Sequence, residues 1–167
     1  TPAALLAGAA FGGAFGLPLA MDDTPWVGAV KRMYVVLGCG ALCSELLAVM
    51  MSTLGINRLA SQSFPKASRA TVLLSNELEM EWVGTQFNFI LGLVLLFGSI
   101  ASRAFLTIKC PKLAKGVVSM VGGCMFFILA LLNDDNNAYC NTVGLGAQYL
   151  ILLVQRMRES PGILKAL

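Results

Sequence analysis

The sequence predicts an all-α integral membrane protein with three transmembrane helices, a short C-terminal helix that is the candidate for a fourth crossing, and an extended N-terminal arm. Composition carries the class. Of 167 residues 57% are hydrophobic before the 17 glycines are counted, and 13% are charged, against about 45–50% apolar with Gly included and about 25% charged in soluble domains. Mean hydropathy is +0.75. Such a chain cannot clothe a water-facing surface. A net charge of +3 makes no basic face to neutralise a run of phosphates, so nucleic acid is excluded as a partner. The expected partners are lipids and other membrane subunits.

A spanning helix needs about 20 mainly apolar residues. Residues 1–27 form the arm: they are apolar but built of Ala and Gly, with Pro18 near the end, and are simplest as an extended segment packed on a neighbour. Gly8, Gly12 and Gly16 would share a face if the arm were helical. The first span lies in 28–57, its apolar stretch Met33 to Leu54 bounded by Lys31/Arg32 and Arg58. Residues 58–82 connect, with Ser61, Ser63, Pro65 and Ser68 marking a surface segment and Glu77, Glu79 and Glu81 leading into the next helix. The second span, 83–103, holds no charge before Arg103, and the third, 116–133, sits between Lys112/Lys115 and Asp134/Asp135. The tail helix, 138–167, has an apolar run Tyr149 to Val154 interrupted upstream by Asn141, Thr142, Gly144, Gly146 and Gln148. Trp26 and Trp82 precede spans one and two, as interfacial anchors do.

Cation placement bears on the number of crossings. With three spans, Lys31, Arg32, Arg103, Lys109, Lys112 and Lys115 face one side while Arg58, Lys66, Arg69, Arg156, Arg158 and Lys165 face the other, an even division. A crossing tail would move the last three to the first side and create the usual bias. Length and polarity argue the other way, and three spans are the main reading. In both topologies Lys31/Arg32 and the loop Arg103 to Lys115 share one face, by the same rule the cis face.

The chain has no histidine, which removes the commonest metal ligand, the usual haem ligand and the favoured general base together. Its five cysteines, Cys39, Cys43, Cys110, Cys124 and Cys140, make neither a disulfide framework nor a CxxC site. Cys39 and Cys43 read as small packing residues. No metal site and no enzymatic activity are expected. Glu77, Glu79 and Glu81 alternate, so a helix spreads them about its axis and uses them to complement its N-terminal dipole. The run Asn133 to Asn137 reads as a hydrated turn, lacking the spacing of a calcium loop.

Glu45 stands near the middle of the first span. An ionised carboxylate there is costly, so it needs a proton or a partner and is a functional candidate by default. A polar group of a neighbouring subunit, backbone hydrogen bonding, a pigment magnesium or a proton relay would each meet that need. Small residues at Gly40, Ser44, Ala48 and Ser52, and Ser119 with Gly123 in the third span, offer faces for close helix packing. Magnesium accepts oxygen ligands, so Glu45, Gln86, Asn88 and Gln148 are the candidates by depth for holding chlorophyll.

Two families bear on that reading. The three-helix light-harvesting antenna carries a Glu followed five residues later by an Arg in two spans; here Met50 stands in the Arg position after Glu45, and the other spans hold no such pair. The stretches PWVGAVKRMYVVLG (Pro25 to Gly38), SELLAVMMSTLGINRLA (Ser44 to Ala60) and NELEMEWVGTQFNFILG (Asn76 to Gly92) instead resemble small accessory membrane subunits of photosystem I from red-lineage plastids, as in diatoms and dinoflagellates. That resemblance covers about half the chain. It implies a nuclear-encoded thylakoid protein with a cleaved transit sequence, non-catalytic, lying between reaction-centre core and antenna proteins, with chlorophyll or carotenoid at its edge and the cis face toward the stroma. Two other readings share the composition: a supernumerary subunit of a respiratory complex in the mitochondrial inner membrane, and a small transporter using Glu45.

Overall fold

The computed structural model describes residue 5, residue 8 and residues 24–61, 78–135 and 142–159. Four helices make up the described fold: α1 (Pro25–Ser61), α2 (Glu79–Thr107), α3 (Pro111–Asp135) and α4 (Thr142–Glu159). No strand occurs among the described residues. Of the expected N-terminal arm, Leu5, Gly8 and residues 24–27 are described, and Pro25, Trp26 and Val27 already belong to α1; of the expected connection, Ser61 ends α1 while residues 62–77, with Ser63, Pro65 and Ser68, lie outside the described residues.

Local chemistry sets the helix ends. Pro25 and Pro111 stand at the first position of α1 and α3, where the missing N–H costs nothing and the fixed φ suits the helix. Proline also disfavours helical backbone in the residue before it, so Cys110 stays outside α3. Ile108 closes α2 in an extended conformation at φ −85° and ψ 107°, and the chain reverses within the short link to α3. Glu79 and Glu81 lie in the first turn of α2, where their charge suits the dipole. The acidic run is thus partly helical at the other end of the protein as well: α3 continues through Asn133 and Asp134 to Asp135, where a hydrated turn was expected.

Helices α1, α2 and α3 are each long and apolar enough to cross a membrane. This makes the chain an all-α membrane protein. At 37 residues α1 is about 55 Å long at 1.5 Å per residue, well beyond the ~30 Å hydrocarbon core, so its ends reach past the apolar layer. At 18 residues, with Arg156 and Arg158 in its last turn, α4 is not long and apolar enough to join these three. Its apolar cluster Leu145 and Tyr149 packs on Val83 and Ile90 in the N-terminal half of α2, with Leu129 of α3 and Met51 of α1 at the margin.

The second helix is central, with α1, α3 and α4 all packed against it. Helices α1 and α2 run antiparallel in constant register. Leu37 meets Gly98, Gly40 meets Leu95, Glu45 meets Gly92, Met51 meets Gly84 and Gly55 meets Glu81. Each step forward on one helix is matched by a similar step back on the other. The buried side of α1 is Tyr34, Gly38, Ala41, Glu45, Ala48 and Gly55, with Ser44 beside it. Steps of four and three residues are the period of a left-handed helix pair. On α2 the matching positions include Glu81, Asn88, Gly92, Ser99 and Ser102, all buried.

Candidate functional site

The seam between α1 and α2 collects most of the polar groups that sequence reading singled out. It is built of small and polar side chains, which let two backbones approach closely where apolar burial gives little net drive. Ser44 and Ala48 are buried on it, whereas Gly40 and Ser52 are half-buried at its flanks. The four-residue stripe expected from spacing is therefore corrected to a seven-residue seam that shares two of its members. Most seam polars whose bonds are seen turn back to their own helix: Asn88 Nδ2 donates to the Gly84 carbonyl at 2.8 Å, Ser102 Oγ to Gly98 at 2.9 Å and Thr85 Oγ1 to Glu81 at 2.7 Å. These bonds satisfy the side chains without crossing the interface.

At the centre of the seam is Glu45, 0% exposed. Gly92 faces it so closely that a Cβ there would lie 2.7 Å from Glu45 Oε1 and 2.9 Å from its Cδ and Cγ. The glycine is the notch that admits the acid. Neither carboxylate oxygen has a hydrogen-bond partner among the described residues. Both oxygens are enclosed between the two helices, with Gly92 against them. Asn88 is likewise 3% exposed and engaged with Gly84.

Where α1 ends and α2 begins, Glu79 and Glu81 each recruit a different helix. Arg58 of α1 forms a 2.5 Å ion pair with Glu81, whose side chain is 9% exposed against 37% for the arginine. Gln148 Nε2 of α4 donates to Glu79 Oε1 at 2.5 Å. Two positions apart on a helix is about 200° of rotation at 3.6 residues per turn, so neighbouring acids reach opposite neighbours. Gln148 thus commits its amide nitrogen to Glu79. Trp82 does not stand clear as an interfacial anchor alone, because it packs against the α2/α4 cluster; Trp26, 68% exposed at the start of α1, does.

Aromatic rings and glycines interlock α2 with α4. Phe87 and Tyr149 stack with centroids 5.2 Å apart. A Cβ on Gly146 would lie 2.9 Å from the Phe87 ring, and one on Gly84 would lie 3.0 Å from the Tyr149 ring. Each helix offers a glycine to the other's ring, an arrangement sequence reading missed. Gly84 and Gly146 were visible as residues, but nothing local pairs them.

Of the four proposed pigment ligands, Glu45 and Asn88 are sealed in the seam, Gln148 is half-buried and bonds through its amide nitrogen, and the fourth is Gln86. It is half-buried, its Oε1 has no partner among the described residues, and it lines a cavity between α1 and α2. On α3 the small residues are uncovered. Ser119 and Gly123 are exposed, and nothing lies within 4 Å of a Cβ placed on Gly116, Gly122 or Gly123. Cys43 and Cys124 are also exposed, so Cys43 does not pack within this chain as expected. Among the described residues no group of three or more His, Cys, Asp or Glu stands together.

The class defined by this architecture is an all-α membrane protein of three spanning helices with a sealed acid at its centre. No family model, curated protein or solved structure matches the chain.

Proposed function

We propose that the protein is a non-catalytic accessory subunit of a photosynthetic membrane complex, photosystem I above all, seated in the thylakoid between reaction-centre core and antenna proteins. One observation supports this reading more than the others: the contrast between filled and empty notches. Where α1 and α2 pack together, the glycines Gly40, Gly92 and Gly98 are occupied by Leu95, Glu45 and Leu37, and only Gly28, in the first turn of α1, is open among the α1 and α2 glycines described here. On α3 the equivalent notches at Gly116, Gly122 and Gly123 are open, flanked by Met120, Phe126 and Phe127 at 72%, 74% and 64% exposure. Gly116, Ser119 and Gly123 share a face at helical spacing. Such a face fits a helix of a neighbouring subunit, since small residues are what helices use to approach in lipid.

The resemblance of the Pro25–Gly38, Ser44–Ala60 and Asn76–Gly92 stretches directs the proposal to photosystem I. Chlorophyll or carotenoid would lie against the outward apolar side chains of α3 and of α4, where Leu150, Ile151 and Val154 are exposed. A transporter built on Glu45 finds less support, because the acid is closed in by Gly92 instead of opening to a path. Gly123→Leu tests the proposal. The variant is expected to insert in the membrane but to fall out of the large complex on a native gel, and full retention would overturn the docking role of α3.

A further inference from the structure

Five exposed cations gather at one level of the bundle. Leu37 of α1 meets Gly98 of α2; Arg32 stands five residues before the one and Arg103 five residues after the other, so the antiparallel pair sets both arginines at the same height. Lys109 lies in the link that follows α2. Helix α3 then runs back along α2, since Leu129 near its far end reaches the cluster around Val83 and Ile90, and Lys112 and Lys115 at its near end return to the height of Arg103. The result is a collar of Arg32, Arg103, Lys109, Lys112 and Lys115, all exposed, at one end of the three spanning helices.

No acid among the described residues stands at this level. Glu45 is sealed in the seam, Glu79 and Glu81 open α2 at its other end, and Asp134 and Asp135 close α3 there. Glu159 ends α4, which runs toward that same end as Gly146 meets Phe87 and Tyr149 meets Gly84. The nearest acids in sequence, Asp22 and Asp23, lie outside the described residues and are two against five. Lys112 stands in the first turn of α3, which holds no acid, and there the helix dipole opposes a cation. An anion at this height relieves both the crowding of charge and that conflict.

The neighbours of the collar select the kind of anion. Exposed Phe105 and Leu113 stand among the cations, and exposed Met33 and Val36 lie just inward of Arg32. Such a mixed belt belongs to the boundary where headgroups meet acyl chains, and a lipid brings an anionic head and an apolar body together, whereas a soluble acidic protein brings only the charge. Clusters of about four to eight Lys and Arg at the end of a span attract anionic lipid. We infer that this collar binds the headgroups of anionic lipids, their acyl chains lying along Met33, Val36, Phe105 and Leu113. The inference holds whichever complex contains the protein.

The test uses the full chain with Trp26→Phe and Trp82→Phe, which removes both tryptophans, and one new reporter on α3. Leu113→Trp places it in the collar and Leu131→Trp at the opposite end, near Asp134 and Asp135; both leucines are exposed. Each chain is reconstituted in phosphatidylcholine vesicles holding increasing fractions of brominated phosphatidylglycerol or brominated phosphatidylcholine, and tryptophan quenching gives the relative affinity of the two lipids. At Leu113→Trp the anionic lipid is expected to be preferred about fivefold, and at Leu131→Trp not at all. Lys109→Gln, Lys112→Gln and Lys115→Gln together are expected to bring the preference below about twofold, and Arg32→Gln with Arg103→Gln to lower it as well, with helix content unchanged by circular dichroism. Equal affinity for the two lipids at Leu113→Trp would overturn the inference and leave an acidic protein as the partner of the collar. An equal preference for the anionic lipid at Leu131→Trp, or one undiminished in both sets of variants, would also overturn it.

Discussion

Gly92→Ala is the sharpest test of the α1/α2 seam. Carbon atoms in good contact stand about 3.5–4.0 Å apart, and the added methyl would sit 2.7–2.9 Å from three atoms of Glu45. The overlap is therefore about 0.6–1.3 Å. Glu45 is 0% exposed, so its side chain has no open space to swing into, and relief requires the helices to part. That would also stretch the neighbouring close approaches, Gly40 to Leu95 at 3.1 Å and Gly98 to Leu37 at 3.4 Å. Overpacking of this kind costs about 1–3 kcal/mol, offset by up to about 1 kcal/mol from alanine's better helix propensity. A net loss of about 1–2 kcal/mol is expected by far-UV circular dichroism during unfolding in mixed SDS micelles. Glu45→Ala in the same chain removes the clashing atoms, so the double variant is expected to recover at least about 1 kcal/mol relative to additivity. Gly122→Ala, with open space around it, supplies the control and should be neutral or stabilising. Additive effects of Gly92→Ala and Glu45→Ala, or equal losses at Gly92 and Gly122, would refute the seam.

Other consequences follow from the same geometry. Arg58→Gln leaves the nearly buried Glu81 carboxylate without its cation and is expected to cost about 1–3 kcal/mol, between exposed and buried ion pairs; Glu81→Gln in the same chain should restore much of it in a double-mutant cycle. Gly146→Ala drives a methyl into the Phe87 ring and should raise amide exchange throughout α4 while leaving α1 protected, with Phe87→Ala restoring α4 protection. In a chain whose cysteines are replaced by serine, single cysteines at Asn57 and Arg156 should react with a membrane-impermeant maleimide from one side, and Cys110, restored alone, from the other. Labelling of Arg156→Cys from the Cys110 side would show that α4 crosses.

Much of the architecture was legible because lipid imposes a simple rule. Long apolar runs, broken in α1 by Glu45 alone, mark α1, α2 and α3, since a spanning segment must satisfy its backbone internally and cover itself in apolar side chains. The seam was half legible. Ser44 and Ala48 stand out as small residues, but spacing alone suggested a four-residue repeat, and only the partner helix selects the seven-residue one through Tyr34, Gly38, Ala41 and Gly55. Glu45 was conspicuous in the sequence, whereas its counterpart Gly92 was not, because a glycine announces no particular neighbour. The alternation of Glu79 and Glu81 was read correctly as spreading around the axis. That each would hold a different helix depends on Arg58 and Gln148, which are distant in the chain.

The functional account rests most directly on the company this chain keeps. Membranes extracted in mild detergent and separated on a native gel should place it in a large green band whose absorption spectrum is that of photosystem I. A colourless band shared with respiratory subunits, or a small colourless band holding this chain alone, would contradict the account.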